Sequence, residues 1–354
     1  MRYNPSSRAF YNRMSFTVTN RRNQSAFTAN PGETILDAAL RDKRVFPYGC
    51  RNGACGACKS TLASGKVDYG EYEEFALSAG EIAQGKVLLC QAVPLEDVVI
   101  DAEEIMAGAD IRIRMLPCRV LRMEKAAKDV MRVFLMPPKS QEFNFVPGQY
   151  IDIIMKDGQR RSFSAANLPE RAREEGLELH IRHVPGGRFT PRVFAAMRER
   201  DLLRFEGPFG TYFLREDGAR PVIMVAGGTG FAPVKALIEQ ALAADPARRI
   251  HFFWGARDEQ DVYMHALAEE WARARENFLY TPVLSEPDAD GAWRGARGWV
   301  HESVLAAYDD FAEFDVYASG PPVMVDAVRD GLGAKGMRAE RFFFDSFTYA
   351  PREP

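Results

Sequence analysis

The sequence predicts a chain of mixed class, α+β and α/β: a small α+β module, then an antiparallel β-barrel, then a doubly wound parallel sheet. Three observations predict it. Cys50, Cys55 and Cys58, with Cys90 further on, follow two short alternating strands and an amphipathic helix. Short strand-like runs separated by turn residues come next, a spacing suited to a small antiparallel barrel. The last third alternates apolar strand runs with helical patterns, as parallel βαβ units do.

At 354 residues the chain has room for two or three domains. Hydrophobic residues make up 46% and charged residues 27%, so a packed fold is expected rather than a disordered chain. A net charge of −3 argues against nucleic acid as a partner. The most apolar stretch, residues 221–232, is broken by glycines and followed by Lys235, so no membrane span is expected. Residues 1–13 hold three arginines, no acid and no apolar core; they read as an extension ahead of a second possible start at Met14 rather than a transit peptide. Five cysteines, with Cys118 on its own, fit a reducing, cytoplasmic setting better than a disulfide framework.

The first module is expected over residues 14–104. "FTVTN" and "SAFTA" alternate as strands, and "GETILDAALRD" places Ile35, Leu36, Ala39 and Leu40 at helical spacing. The cysteine spacing is Cys50-x4-Cys55-x2-Cys58 with Cys90 downstream. Three plus one is the pattern of plant-type [2Fe–2S] centres, whereas zinc sites favour two C-x2-C-like pairs. Structural zinc and buried free thiols are the alternatives. Gly49, Gly53 and Gly56 leave room for backbone N–H groups to approach sulfur. The order of elements resembles the β-grasp fold of ferredoxins.

The barrel is expected over residues 110–215, after a hinge near 103–111. "IRIRMLPCRVLRM", "VMRVFLM" and "GQYIDIIM" read as its strands. In "RRSFSAAN", Arg161 beside Ser162 and Ser164 can bind a diphosphate and hydrogen-bond a ring nitrogen, although a surface arginine would look the same. Gly186-Gly187, before a helix opening at Thr190 or Pro191, can offer N–H groups to an anion or be a plain hairpin turn. The parallel sheet is expected over residues 216–354. "RPVIMVAGGTGFAPVKALIEQAL" is an apolar strand, a glycine turn and a helix, the unit that sets a diphosphate on a helix N-terminus. Gly228 and Gly230 supply two glycines of G-x-G-x-x-G, and Pro233 stands in the third position.

With these motifs in this order, the chain from about residue 14 onward resembles the ferredoxin–NADP reductase-like electron-transfer flavoproteins with an N-terminal plant-type [2Fe–2S] ferredoxin module. It resembles two subgroups: the CDP-6-deoxy-glucoseen reductases and the reductase components of ring-hydroxylating dioxygenases. The resemblance implies FAD, a nicotinamide coenzyme and the cluster as cofactors. Cys50, Cys55, Cys58 and Cys90 are then the cluster ligands. In the family's R-x-Y-S motif, Arg161 holds the flavin diphosphate, with Ser162 in the variable position. Phe163 stands where the family usually has Tyr, and Ser164 approaches flavin N5. Gly186, Gly187 and Thr190 match the second diphosphate contact. Gly227, Gly228, Thr229 and Gly230 match the dinucleotide turn. Ser319, Gly320 and Pro321 match C-G-P-P, with Ser319 replacing the Cys near the hydride path. Phe347, in "RFFFDSFTYA", is the candidate for the ring that covers the flavin; a buried last strand would carry the same aromatics.

The implied function is an enzyme that passes electrons from NADH through FAD and a [2Fe–2S] centre to a separate protein, either an oxygenase component or a deoxysugar 3-dehydratase. The flavin converts a two-electron hydride into single electrons. A redox sensor without a dedicated acceptor is the alternative. NADH is expected over NADPH because Asp258 and Asp261 would oppose the 2′-phosphate that Arg257 would attract. Residues 68–104 hold ten acidic side chains against the single Lys86, which suits a basic partner or an ordinary solvated face.

Overall fold

A computed structural model describes residues 15–105, 111–215, 220–287 and 293–347. The extension before Met14, Met14 itself, most of the expected hinge and the segment after Phe347 lie outside the described residues. The chain divides into two units, Met1–Ile111 and Arg112–Pro354.

In the first unit, β1 (Phe16–Asn20) and β2 (Ser25–Ala29) form an antiparallel hairpin, followed by α1 (Ile35–Arg41). The Thr34 side chain accepts the Asp37 N–H and caps α1, which buries Ile35, Leu36, Ala38 and Ala39. β3 (Lys59–Ser64), β4 (Val67–Asp68), α2 (Ala79–Ala83), β5 (Lys86–Leu88), β6 (Val93–Pro94) and β7 (Val98–Asp101) complete it. The main sheet runs β2-β1-β7-β3-β5, with β1 and β7 parallel and the other pairs antiparallel. β4 and β6 pair separately. A long loop, residues 44–58, crosses from α1 to β3 and carries three of the cysteines.

The second unit opens with β8 (Arg114–Ala127), β9 (Val130–Met136), β10 (Tyr150–Ile154), β11 (Arg160–Ser164), α3 (Pro169–Glu175), β12 (Leu177–Arg182), α4 (Thr190–Ala195) and β13 (Leu202–Phe209). They form one antiparallel sheet in the order β11-β10-β13-β8-β9-β12 around a core that includes Leu116, Val120, Val133, Ile153 and Phe205. The expected barrel is not closed. Its edge strands β11 and β12 meet only at an isolated bridge, Ala165 to Leu179, with the Ala166 N–H on the Glu178 carbonyl. Across the seam the Asn167 side chain replaces a ladder: it donates to the Gly176 carbonyl and accepts the Glu178 N–H.

Then follow β14 (Val222–Gly227), α5 (Phe231–Ala244), β15 (Ile250–Ala256), α6 (His265–Ala274), β16 (Phe278–Leu284), β17 (Ala296–Arg297), α7 (Val300–Ala307), β18 (Asp315–Gly320), α8 (Pro322–Gly333) and β19 (Phe342–Ser346). All pairs are parallel, in the order β17-β16-β15-β14-β18-β19. β14 reads as an unbroken apolar run because helices cover both faces of a parallel sheet, and Val222, Ile223, Met224, Val225 and Ala226 are all buried. Burying each large aliphatic side chain of this kind contributes about 1.5–3 kcal/mol. Phe231, Leu237 and Trp254 belong to the core on one face of the sheet, and Val225, Val304 and Val325 to the core on the other. Among the described residues, no helix is long and apolar enough to cross a membrane.

Candidate functional site

The cysteine loop brings its predicted ligands together. Cys50 and Cys55 lie within hydrogen-bond reach of each other, and so do Cys58 and Cys90. The Cys50 N–H donates to Cys55 Sγ at 3.3 Å, and Gln91 Nε2 reaches Cys90 Sγ at 3.9 Å. Within each pair one thiol is held low and the other high. The Cys55 contact, against burial, brings Cys50 down to about 6. The same contact and burial push Cys55 well up. Cys90 is lowered by Cys58, whose own thiol is raised by Cys90 and by burial. Gly53, at φ +77°, lets the loop lie against the chain at Glu71; a Cβ there would overlap the Glu71 carbonyl. Among the described residues no three His, Cys, Asp or Glu side chains converge on a single-ion position. The two thiol pairs are the residues that would hold a [2Fe–2S] centre. Cys118 lies elsewhere, in β8, where burial pushes its thiol up to about 12.

In the second unit the order of the parallel sheet reverses next to β14, between it and β18. Ligands of open α/β sheets lie in such a crevice, beyond the carboxyl ends of the strands. Gly227 ends β14, residues 228–230 form a 3₁₀ turn, and α5 starts at Phe231. Gly320 ends β18, and Pro321 precedes α8. The two strand ends touch. A Cβ on Gly230 would overlap the Ser319 carbonyl, so the turn tolerates only glycine there. Trp254 Nε1 donates to the Gly228 carbonyl at 3.1 Å and pins the turn from β15. Thr229 sits within the turn, half-buried.

Arg161 and Phe163 share one face of β11, while Ser162 and Ser164 share the other. Arg161 is half-buried; its guanidinium donates to its neighbour's carbonyl at Arg160 and to Gln159 Oε1 at 3.1 Å. Ser162 donates to Asp152 Oδ1 at 2.6 Å. Phe163 packs against Phe189, ring centroids 5.5 Å apart, so the β11 motif and the Gly186-Gly187 loop are neighbours. Gly186, at φ +77°, has open space where a Cβ would be. The Thr190 hydroxyl instead closes its own loop: it accepts the Val184 N–H at 2.9 Å and reaches the Val184 carbonyl at 3.3 Å.

Ser164 donates to Asp345 Oδ2 at 3.1 Å. Asp345 lies in β19, in register with Ser319 of β18, which in turn is beside Ala226 of β14. The end of β11 and the ends of β18 and β19 therefore meet. Ser319 Oγ and the Tyr212 hydroxyl are buried with no hydrogen-bond partner among the described residues. Burial, then the nearby Asp345 charge, pushes the Tyr212 phenol well up. Phe347 donates its N–H to the Gly320 carbonyl at 2.9 Å, at the same strand ends. Asp345 was missed by the sequence reading, although an acid inside the aromatic strand "FFFDS" was a signal. Arg182, in "HIRHV", was also missed. Its Nε and Nη2 are buried with no hydrogen-bond partner among the described residues, with Asp129 and Asp261 at 3.7 and 3.6 Å, and its guanidinium lies where a Cβ on Gly228 would point. The charge is shared with these two carboxylates, but the nitrogens over the glycine turn keep N–H groups that can donate to an anion such as a diphosphate.

Beyond β15, Arg257 is bidentate to Asp261, at 2.6 and 3.2 Å, and lies 3.6 Å from Asp129. Burial works to raise the Asp261 carboxyl, but Arg257 and Arg182 outweigh it and hold it low. Asp258 caps the following turn through its side chain.

The chain matches three protein-family descriptions in order: a 2Fe-2S iron-sulfur cluster binding domain over residues 18–95, an oxidoreductase FAD-binding domain over 117–213, and an oxidoreductase NAD-binding domain over 224–330. A CDP-6-deoxy-L-threo-D-glycero-4-hexulose-3-dehydrase reductase of Yersinia pseudotuberculosis is 37% identical over 321 residues, covering 91% of this chain and 95% of the relative. Reductase component 2 of a terephthalate 1,2-dioxygenase from Comamonas sp. is 33% identical, covering 92% and 95%. The crystal structure of an Amycolatopsis cytochrome P450 reductase, GcoB, superposes with a TM-score of 0.77 at 32% identity, covering 96% of this chain and 100% of that one.

Proposed function

Because the chain belongs to the ferredoxin–NADP reductase-like electron-transfer flavoproteins with a [2Fe–2S] module, we propose that it takes hydride from NADH and delivers single electrons to a separate protein. Bound FAD supplies the two-to-one electron conversion between a hydride donor and a one-electron centre.

In this reading Cys50, Cys55, Cys58 and Cys90 hold the cluster. Arg161, Ser162, Phe163, Ser164, Gly186, Gly187 and Thr190 form the flavin side. Residues 227–230 with Gly320, Pro321 and Arg182 form the coenzyme side. The observation that carries the reading is the Ser164–Asp345 contact, which sets the flavin-motif strand against the strand ends of the coenzyme crevice. Asp345 orients the Ser164 hydroxyl, and Ser319 lines the same spot as a small polar group. Phe347, whose N–H binds the Gly320 carbonyl at these strand ends, is assigned the cover of the ring. The preference for NADH rests on Arg257: its fork is already occupied by Asp261, and Asp258 stands beside it, so a 2′-phosphate would meet two carboxylates.

The acceptor is a protein such as an oxygenase component or a deoxysugar dehydratase, as the relatives' names suggest. The segment against the cysteine loop exposes Tyr72 (36%) and Phe75 (60%) among Glu71, Glu73 and Glu74, which suits a partner with a basic rim. Five cysteines, none in a disulfide among the described residues, suit a cytoplasmic setting.

The test is anaerobic reduction of the purified holoprotein. NADH should bleach the flavin far more efficiently than NADPH, and Arg161→Ala should lose flavin during purification. Stoichiometric flavin retained by that variant would remove Arg161 from the site. Equal efficiency of the two coenzymes would remove the role given to Arg257, Asp258 and Asp261.

A further inference from the structure

Helix α5 carries a charge where its pattern asks for a hydrophobe. Lys235 is 3% exposed, between Val234 and Ala236, which are fully buried. Its ammonium meets three acceptors: the Ala166 carbonyl at 2.8 Å, Glu178 Oε2 at 3.1 Å and Glu239 Oε1 at 3.0 Å. Glu239 lies one turn along the same helix. Ala166 and Glu178 belong to the open seam of the antiparallel sheet. Ala166 is two residues past Ser164, and Lys235 is five residues past Gly230, so the ammonium joins the two turns on which the proposed site is built.

The connection is doubled. Glu178 Oε1 accepts from Arg132 Nε at 2.7 Å and lies 2.9 Å from His180 Nε2. Burial keeps His180 neutral, so Nε2–H donates to the carboxylate and Nδ1 accepts from the Tyr263 hydroxyl at 2.8 Å. Tyr263 stands just before α6, on the parallel-sheet side. Burial works to raise Glu178, but His180, Lys235 and Arg132 keep it ionised. Apolar packing alone would also hold α5 against the seam, but it is non-directional and permits small slips. Hydrogen bonds to a carbonyl and a carboxylate weaken steeply when distance or angle changes.

We infer that Lys235 is a positioning residue: by binding Ala166 and Glu178 it sets the spacing between the turn at residues 227–230 and the turn at residues 164–166, and so the reach of nicotinamide to flavin. This rests on the reading of those two turns given above. A buried ion pair that only stabilised the fold would change the melting temperature and leave that reach alone.

Lys235→Met keeps an unbranched side chain, one atom shorter, and removes its charge. In the holoprotein, flavin reduction by saturating NADH should slow by about 10- to 100-fold per bound flavin, because misplacement by about 1 Å can cost that much. Affinity for NAD⁺ should fall less than the rate does, since Lys235 itself is not among the proposed coenzyme contacts. In the coenzyme-free protein, amide exchange in residues 165–167 and 228–236 should quicken, a readout independent of turnover. Lys235→Arg, which keeps the charge on a longer stem, should fall between the two in rate and keep most of the protection. Unchanged flavin reduction and exchange in Lys235→Met, or a fall in melting temperature alone, would overturn the inference. If Lys235→Met does not fold, Lys235→Arg decides: slower reduction at an unchanged melting temperature upholds it, and the wild-type rate refutes it. Unaltered protein that binds no flavin, or whose flavin NADH does not reduce, would instead refute the functional reading beneath it.

Discussion

The two units build their sites in opposite ways. In the first, three of the four proposed ligands come from nine consecutive positions, and one loop wrapped over Gly53 suffices to gather them. In the second, the proposed site draws on Ser164, Arg182, Gly230, Ser319 and Asp345, spread over most of that unit and assembled by two sheets. A site coded within one loop is anchored by chain connectivity. A site coded across sheets depends on the registers and seams that hold those sheets together.

The sharpest way to break this comparison is Cys58→Ser. Removing one ligand of a four-cysteine centre should reduce electron delivery to a cytochrome-type acceptor to background, while NADH still bleaches the flavin. Loss of both activities in a folded variant would mean that the two sites are not separable. Next comes Asp345→Ala, which frees the Ser164 hydroxyl. Flavin reduction should slow by about 10- to 100-fold in stopped-flow traces, as expected for a lost orienting contact. A rate within twofold of wild type would leave the strand-end constellation without a role. Arg182→Ala should act more gently, raising KM for NADH about tenfold with little change in kcat, since hydrogen bonds to a charged group contribute about 1.5–3 kcal/mol. An unchanged KM would reassign the guanidinium to Asp129 and Asp261.

The smallest effect concerns a position outside both sites. Burial holds His251 down to about 4, with its ring nitrogens on Tyr308 and Thr281. The unfolded imidazole protonates near pH 6.5. Between pH 6.5 and about 4 the unfolded state therefore binds a proton that the folded state refuses, so stability falls as pH falls through that window. Thermal melts across it should show a decline that His251→Gln flattens. An identical decline in the variant would assign the slope to other groups.

Much of this was legible in the sequence. The four-cysteine spacing, the strand-turn-helix at residues 222–244 and the alternation beyond it correspond to elements of the structure, because each is written by residues close together in the chain. The strand expected within "IRIRMLPCRVLRM" proved to be a 14-residue strand with Pro117 inside it; Pro117 pairs with β13 alone, ahead of Arg119 where pairing with β9 begins, so its missing N–H interrupts no second ladder. The open seam could not be read, since closure depends on whether β11 and β12 form a ladder or leave the task to Asn167. Arg182, Lys235 and Asp345 look in the sequence like charges scattered in apolar runs. Only their cross-chain partners distinguish them from surface residues.

By itself, the sequence determined the four-cysteine spacing, the glycine turn and the order of the three kinds of structure, since periodicity and short-range spacing are properties of neighbouring residues. The tertiary structure alone decided which buried charges are satisfied, which are left facing a crevice, and how the β11 motif meets the ends of β18 and β19. The reason is physical: the cost of burying a charge depends on what lies within a few ångströms of it, and for buried Lys235 the Glu178 carboxylate is brought in from 57 positions away along the chain, as the Asp345 partner of Ser164 is from 181.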